Sequence, residues 1–386
     1  MTAPDSDRNA VEESGGESRV RDIRWGNRTV QVTTPVPTKV WAEVAAADPS
    51  TMPSHTPAWR ECVHSGSGWR DASRLYELPG ERQLVLMMAR RPGPSTRLAV
   101  QASWPEGWGP GGVLAPGGAS PDEVALVCAD LAQSGSLSTT VRPGFLAAPA
   151  WPSASRGFSS VPRAVHVVHL GQSFEDFWSR SISTRTRSNN RAAWRSLEQA
   201  GIVITRGNSP ELVREFYQVY LQWIDWRARQ RKMPTALARW RARRVEPFQK
   251  FANVASRLGE DCQIWVARWD GRPIGTAINL YADESAFGWR SFTDRSIPSR
   301  FRLPEVLIVE GIRHACESGC RYIDLGQSVD NARLANIKER LGAQEHAFAE
   351  YCFGRLPLST GQRSVERLRR RAEEWIMSRI NQDDHQ

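Results

Sequence analysis

In the C-terminal third of the chain, apolar residues recur with two periodicities, one typical of strands and one typical of helices. The first helical run has Pro304 in its first turn, where a missing N–H costs no hydrogen bond, and Gly319 at its end. The predicted order is strand 286–292, helix 303–319, strand 321–325 and helix 332–341. Because the links are short, this order predicts a right-handed crossover between parallel strands, and therefore an α/β core.

The same two patterns extend over the rest of the chain and predict a mixed sheet with helices. An Asp-Gly pair, Asp270 and Gly271, separates two strand-like runs and predicts a tight hairpin. Further strands are predicted over 28–32, 83–90, 98–104, 136–141, 164–170, 202–205, 263–269, 273–281 and 347–356. Further helices are predicted over 39–46, 121–133, 174–200, 210–231, 235–258 and 362–380.

The chain of 386 residues has room for two domains of ordinary size. We expect a polar tail over 1–22, disordered because it is rich in Gly and Ser, and then an N-terminal lobe over 23–170. A C-terminal lobe over 171–360 and a basic helix and tail over 361–386 follow. No apolar run approaches the roughly 20 residues of a membrane span, and the first residues lack the pattern of a signal peptide. These features predict a cytoplasmic protein.

The net charge of +9 and the six cysteines narrow the chemistry. Excess positive charge favours an anionic partner, such as nucleic acid, a phosphorylated carrier, a nucleotide sugar or a membrane surface, although a general richness in Arg is the alternative. Cys316 and Cys320 lie one helical turn apart, but no second pair of Cys or His follows at a metal-ligand spacing. The sequence therefore predicts reduced thiols and no metal site.

Several segments together resemble a known family. They are GIRHACESGC, RYIDLGQS, IKERLGA, the Arg-rich block over 177–204 and FYQVYLQW. In these the chain resembles the C-terminal lobe of the GNAT-fold transferases, and in particular the Fem-type aminoacyltransferases. The resemblance implies two tandem GNAT-like lobes, of which the C-terminal one is catalytic. It also implies an N-acyltransferase, which moves an acyl or aminoacyl group from an activated carrier to an amine and forms an amide.

The segment before the helix at 303 bears on the donor. Acyl-CoA transferases of the GNAT superfamily place a glycine-containing turn there, whose N–H groups contact the pyrophosphate. Residues 293–306, TDRSIPSRFRLPEV, contain no glycine, so the backbone cannot approach phosphates in that way. This departure favours aminoacyl-tRNA as co-substrate, with no tightly bound cofactor. Arg295, Arg300 and Arg302 offer phosphate contacts through side chains, which keeps acyl-CoA as the alternative.

Two residues are candidates for the chemistry. Lys338 matches the lysine of a Fem-like segment, and the resemblance implies that it stabilises negative charge on the tetrahedral intermediate. Asp324 ends a predicted strand, where α/β sites are built, and is a candidate to position or deprotonate the amine. The alternatives are that Lys338 is a solvated helix residue, paired with Glu339 or Glu345, and that Asp324 caps the turn at Gly326.

Aromatic and basic residues near the predicted cleft are candidates for substrate binding. They are Tyr220, Trp226, Arg227, Trp289 and Arg290. Arg and Trp suit contacts with phosphate or adenine. The alternative for Tyr220 is a core position of an amphipathic helix.

Three further segments are also candidates for phosphate contacts. The Arg-rich segments 180–195 and 227–244 are candidates for phosphate contacts with an RNA acceptor stem. The GWGPGG segment over 107–112 suggests a structural turn with stacked tryptophans, or else a phosphate cradle.

The acceptor is expected to be an amine-bearing small molecule or a precursor of the cell envelope or of a secondary metabolite. A function of a different class also fits the sequence, namely a non-catalytic binding protein on a degenerate transferase scaffold.

Overall fold

The computed structural model describes residues 18–65, 68–93, 98–171, 173–328 and 331–354. The strands are β1 (Arg19–Trp25), β2 (Arg28–Thr34), β3 (Arg70–Asp71), β4 (Arg74–Leu78), β5 (Arg82–Met87), β6 (Ala89–Arg91), β7 (Val100–Ala102), β8 (Gly112–Leu114), β9 (Ser138–Val141), β10 (Ser159–His169), β11 (Val203–Gly207), β12 (Cys262–Trp269), β13 (Arg272–Ala282), β14 (Ser285–Thr293), β15 (Tyr322–Asp324) and β16 (Gln344–Gly354). The α-helices are α1 (Thr38–Ala47), α2 (Pro57–His64), α3 (Pro121–Gln133), α4 (Phe174–Ser181), α5 (Thr184–Gln199), α6 (Pro210–Gln230), α7 (Thr235–Val245), α8 (Phe248–Leu258), α9 (Leu303–Glu317) and α10 (Ala332–Arg340).

A large mixed sheet extends through the molecule and confirms the predicted α/β class. Its order is β11-β12-β13-β14-β15-β10-β16-β9-β7-β6-β3, and a smaller sheet has the order β1-β2-β4-β5-β8. Strands β14 and β15 are parallel neighbours connected by α9, as the crossover prediction requires. The hairpin between β12 and β13 is also confirmed, since Asp270 and Gly271 have φ angles of 50° and 74°. Such positive φ angles at both central residues define the tight hairpin turn.

The two halves of the chain share the large sheet. Strand β10 precedes the predicted lobe boundary at residue 170, yet it lies between β15 and β16, which belong to the C-terminal half. Strand β16 in turn pairs with β9 of the N-terminal half. The backbone hydrogen bonds of one sheet therefore connect both lobes.

Two predicted helices are each broken into two. The predicted helix 174–200 was wrong as one element, because Ser183 accepts a hydrogen bond from the N–H of Thr186 and so begins α5 as an N-cap. The predicted helix 235–258 is likewise two helices, α7 and α8. Pro247 lies between them, and proline both lacks an N–H and disfavours helical geometry at the preceding residue.

The structure differs from the sequence prediction in smaller ways at the N-terminal end of the chain and in one strand. Residues 19–22, predicted to belong to the disordered tail, lie in β1. The predicted strand 83–90 is divided between β5 and β6, which belong to different sheets. The predicted helix 362–380, together with residues 1–17 of the tail, lies outside the described residues.

A tryptophan cluster packs the N-terminal lobe against β14. Trp59 and Trp108, from the N-terminal lobe, contact Trp289, with ring centroids of Trp59 and Trp289 5.1 Å apart. The indole N–H of Trp59 donates to the Trp108 carbonyl at 3.0 Å. Removing one such buried ring costs about 3–5 kcal/mol. The cluster therefore fixes the GWGPGG segment as a structural turn, but its tryptophan rings meet edge-on or tilted rather than stacked.

Candidate active site

A cavity opens where β14 and β15 separate. The two strands pair only from Ser285 to Phe287, because β15 ends at Asp324 while β14 continues to Thr293. Among the described strands, none pairs with this edge of β14 beyond Phe287. A bulge at Trp289 further displaces the strand. The result is a cavity of about 1480 Å³ between the free part of β14, the first turn of α9, the loop after β15, α10 and loops of the N-terminal lobe.

Asp324 lies at the edge of this cavity with 2% of its surface exposed. One carboxylate oxygen, Oδ1, accepts the N–H of Gly326 at 2.7 Å. Burial raises the pKa of Asp324 to about 6, although the Gly326 N–H and the cation of Lys338 act in the opposite direction. The carboxylate is therefore ionised at neutral pH but close enough to its pKa to accept a proton.

Lys338 lines the same cavity and is 3% exposed. Its Nζ donates to the carbonyls of Gly326 and Gln327, at 2.9 and 3.2 Å. Burial lowers the pKa of Lys338 to about 8, and the charge of Asp324 partly opposes this shift. An ammonium has three N–H donors, so one remains for a ligand.

The alternative interpretation of Lys338 as a solvated residue is wrong. Glu339, one of its two suggested partners, approaches His166 instead, at 3.8 Å. Lys338 is held by the turn that follows Asp324, and between about pH 6 and pH 8 both groups are charged. The capping role suggested for Asp324 is real, since it accepts the N–H of Gly326. Whether either residue acts in catalysis stays a prediction.

The structure brings some of the predicted binding residues to the cavity. Those that line it are Trp226, Trp289, Arg290, Arg295 and Arg302.

Three predicted binding residues do not line the cavity. Tyr220 is buried beside Phe292, with ring centroids 5.0 Å apart, which is the core position that the alternative interpretation expected. Arg227 lies over Trp223, at 5.1 Å from the ring centroid. Arg300 lies over the ring of Phe301, at 5.0 Å.

Positive charge predominates in the cavity wall, where eight basic side chains face five acidic ones. Most of the cations have acidic neighbours: Arg142, for example, donates to Glu350 at 2.6 Å. Within the described ranges, Arg295 and Arg333 have no carboxylate partner, and Arg295 stacks over Trp226 at 5.3 Å from the ring centroid. These two guanidinium groups are therefore available to an anionic ligand.

The N-terminus of α9 holds an internal carboxylate. Glu305, in the first turn, is buried and accepts a hydrogen bond from Arg302 at 2.6 Å and another from Arg340 at 3.4 Å. A helix N-terminus attracts anions through its exposed N–H groups and its dipole. Here the first turn carries the carboxylate of Glu305, which is bound to Arg302 and Arg340, so a pyrophosphate at this end of the helix would meet a negative charge nearby.

Sequence reasoning missed eight charged residues of the cavity wall. They are Glu106, Arg142, Arg163, Asp294, Glu305, Arg333, Arg340 and Glu350. Glu305 follows Arg302 by three positions in the first turn of a predicted helix, a spacing that indicates a pair. Glu350 meets Arg142 across 208 positions of the chain, and no local pattern reports such a contact.

The floor of the cavity comes from the GWGPGG segment. The carbonyl of Gly107 accepts hydrogen bonds from Lys250, Trp289 and Arg290 at 3.2, 3.0 and 2.6 Å. Glu246 accepts from the same Lys250 and Arg290, at 3.1 and 2.9 Å. This network fixes the loop of one lobe to a strand of the other, so the cavity has a rigid floor.

The described residues contain neither a candidate metal site nor a candidate membrane span. No group of three or more His, Cys, Asp or Glu side chains in them is placed to hold a metal ion. None of their helices is both long enough and apolar enough to span a membrane.

Comparison with known proteins defines the class of the fold. Residues 184–333 match the family model described as an acetyltransferase (GNAT) domain. That range runs from the start of α5 into α10 and includes β14, α9 and β15, which form the cavity. The chain has a GNAT-superfamily fold.

Solved structures with a similar fold describe the architecture of the whole chain more closely than the family model does. The crystal structure of FemX is similar over 85% of this chain and 98% of its own, with a TM-score of 0.58 and 11% identity. A conserved protein of unknown function from Bacteroides thetaiotaomicron matches over 82% of this chain and 97% of its own, with a TM-score of 0.50 and 9% identity. No curated protein matches the chain. The fold is Fem-like and extends over both lobes.

Proposed function

We propose that this protein is an N-acyltransferase that transfers an aminoacyl group from aminoacyl-tRNA to an amine. The observation that carries the proposal is the meeting of Lys338 and Asp324 at one cavity, with pKa values of about 8 and about 6. A buried cation and a buried carboxylate with shifted pKa values in a cleft are typical of a functional site. The GNAT-superfamily fold supports acyl transfer in general.

The mechanism is a direct attack of the amine on the ester carbonyl. The C–N bond forms, the carbonyl oxygen becomes negative, and the remaining N–H of the Lys338 ammonium stabilises that charge. Asp324 accepts the proton that the attacking nitrogen loses. The C–O bond of the ester then breaks, and the departing ribose oxygen takes the proton from Asp324. The amide and the free carrier leave the cavity.

The N-terminus of α9 favours aminoacyl-tRNA over acyl-CoA. The preceding turn has no glycine, Arg302 in it adopts a left-handed backbone with φ of 45°, and Glu305 places a carboxylate in the first turn of the helix, near the N–H groups that would bind a pyrophosphate. An acyl-CoA donor is the second candidate. It is favoured by the family description and by Arg295 and Arg333, whose side chains remain available to phosphates.

The size and polarity of the cavity indicate the kind of acceptor. A volume of about 1480 Å³ exceeds the range of roughly 300–1,000 Å³ for pockets that enclose a small ligand. The wall combines aromatic side chains with Arg163 and Glu350. We therefore favour an amine-bearing precursor of the cell envelope or of a secondary metabolite, bound beside the end of the donor.

The proposal is tested by offering two donors to the purified protein. Radiolabelled aminoacyl-tRNA and acetyl-CoA are each incubated with a panel of amines, and amide products are identified by mass spectrometry. Transfer from aminoacyl-tRNA by the wild type, reduced at least tenfold in Lys338→Met, supports the proposal. Transfer from acetyl-CoA alone selects the second candidate. Ligand binding without transfer from either donor would identify a non-catalytic binding protein on this scaffold.

A further inference from the structure

A second hollow, of about 530 Å³, lies on α6 and α7, apart from the cavity described above. It is lined by Asp225, Arg229, Thr235, Ala236, Arg239, Trp240 and Arg243. Three of these seven residues are arginines, one is a tryptophan and one is an acid. The combination of several cations with an aromatic ring is suited to a ligand with phosphate groups and flat apolar rings.

The acid in the hollow neutralises only one of the arginines. Asp225 accepts two hydrogen bonds from Arg239, one of them from Nε at 2.7 Å, and this pair fixes α7 against α6. In the part of the chain that the structure describes, Arg229 and Arg243 have no carboxylate partner. The hollow therefore has a fixed floor and two cations available to an anion.

Trp240 is exposed although it belongs to an ordered helix. Its exposed fraction is 55%, and the guanidinium group of Arg244 lies 4.9 Å from its ring centroid. Of α7, all of which the structure describes, only Ala242 is buried. Trp240 thus contributes little to the core and instead presents a flat ring at the rim of the hollow.

The hollow and the large cavity share one turn of α6. Trp223 and Trp226 line the large cavity, while Asp225 and Arg229 line the hollow. The two sites therefore lie on different faces of the same helix.

We propose that this hollow binds the single-stranded end of an RNA carrier, with a base stacked on Trp240 and phosphates at Arg229 and Arg243. The inference rests on the aminoacyl-tRNA donor proposed above. A strand held there extends across α6 toward Trp226 and Arg295, and so delivers its acylated end to Lys338. An anionic bilayer is the less suitable partner, because its flat surface does not enter a concave hollow whose floor is an ion pair.

The test uses a fluorescent RNA hairpin with a single-stranded tail of four nucleotides at its 3′ end, and measures its affinity at several salt concentrations. Base stacking on an aromatic residue predicts about a tenfold loss of affinity in Trp240→Ala, with little change in the salt dependence, and recovery in Trp240→Phe. Arg243→Glu should weaken binding and reduce the slope of log affinity against log salt by about 0.7. Arg28→Glu, an equal change of charge at the exposed first residue of β2, serves as the matched control and should bind as the wild type does.

Several outcomes would overturn the inference. They are wild-type affinity in both Trp240→Ala and Arg243→Glu, binding of the wild type to phosphatidylglycerol vesicles but not to RNA, and no binding to either. Failure of the proposed function is measured separately, because Lys338→Met should lose transfer and keep RNA affinity. If Trp240→Ala transfers from aminoacyl-tRNA with unchanged KM, the docking site is rejected and the function stands. If acetyl-CoA is the only donor, both proposals are rejected.

Discussion

Two buried lysines in this protein have the same pKa and different surroundings. Lys250 is 7% exposed and Lys338 is 3% exposed, and burial lowers the pKa of each to about 8. Lys250 pairs with the carboxylate of Glu246 at 3.1 Å and lies 4.2 Å from the ring centroid of Trp108. Lys338 contacts two main-chain carbonyls and has no carboxylate within ion-pair distance among the described residues.

The difference shows that a shifted pKa alone does not mark a functional lysine. The ammonium of Lys250 has a carboxylate, a carbonyl and aromatic faces around it, and it does not line the cavity. Lys338 lines the cavity and keeps one N–H for a ligand. Both ammonium groups are desolvated, but the ammonium of Lys250 is paired with a carboxylate at the joint between the lobes, whereas that of Lys338 contacts only main-chain carbonyls among the described residues.

The largest effect is expected when the structural lysine is removed. Lys250→Ala leaves the partly buried Glu246 with Arg290 as its one remaining ion-pair partner among the described residues, and breaking a buried pair costs about 3–5 kcal/mol of unfolding free energy. Urea denaturation measures the loss. Arg272→Ala, which breaks a more exposed pair with Asp294, is the control and should cost less than about 1 kcal/mol. Equal losses in the two variants would contradict the structural role of Lys250.

Lys338, the lysine that lines the cavity, should show the opposite pattern. Lys338→Ala is expected to lower kcat at least tenfold, which corresponds to about 1.4 kcal/mol or more of transition-state stabilisation. Steady-state kinetics measure this change, and circular dichroism verifies that the variant is folded. A folded Lys338→Ala protein with wild-type turnover would remove the assignment of Lys338.

The pH dependence should distinguish the pair at the cavity from other ionisable groups. Asp324 must be deprotonated to accept a proton, so kcat/KM should rise with pH up to about 6. Lys338 must keep its proton, so kcat/KM should fall above about 8. Outside this window the rate should change about tenfold for each pH unit, and Asp324→Asn should abolish the rising limb. A profile that is flat from pH 5 to pH 9 is incompatible with the mechanism.

Local patterns predicted the elements that build the cavity. The bounds of β14, α9, β15 and α10 were confirmed to within a few residues, since periodicity, Pro304 and Gly319 are all signals within one segment. Local signals for the breaks at Ser183 and Pro247 were present too, as a capping residue and a proline. The sequence analysis nevertheless predicted one continuous helix across each break, because apolar residues recur at helical spacing on both sides of it.

The surroundings of the site depend on contacts that no local pattern reports. Lys338 and Asp324 lie 14 positions apart on adjacent predicted elements, so their meeting was predictable from the fold class. The carbonyl of Gly107 accepts from Arg290 across 183 positions. Such contacts follow only from the assembly of both lobes, and the carboxylate at the N-terminus of α9 was recognisable as an obstacle to pyrophosphate only once its burial was known.

The smallest expected effect is a change in KM, and it should distinguish Arg295, which lines the cavity, from Arg300, which does not. Arg295→Gln removes a cation that stacks on Trp226 and has no carboxylate partner among the described residues, so KM for the donor should rise about three- to tenfold while kcat changes little. Arg300→Gln is the matched control, because Arg300 stacks on Phe301 and does not line the cavity. Its KM should stay at the wild-type value. If both variants raised KM equally, the net charge of the surface, rather than a contact in the cavity, would attract the donor.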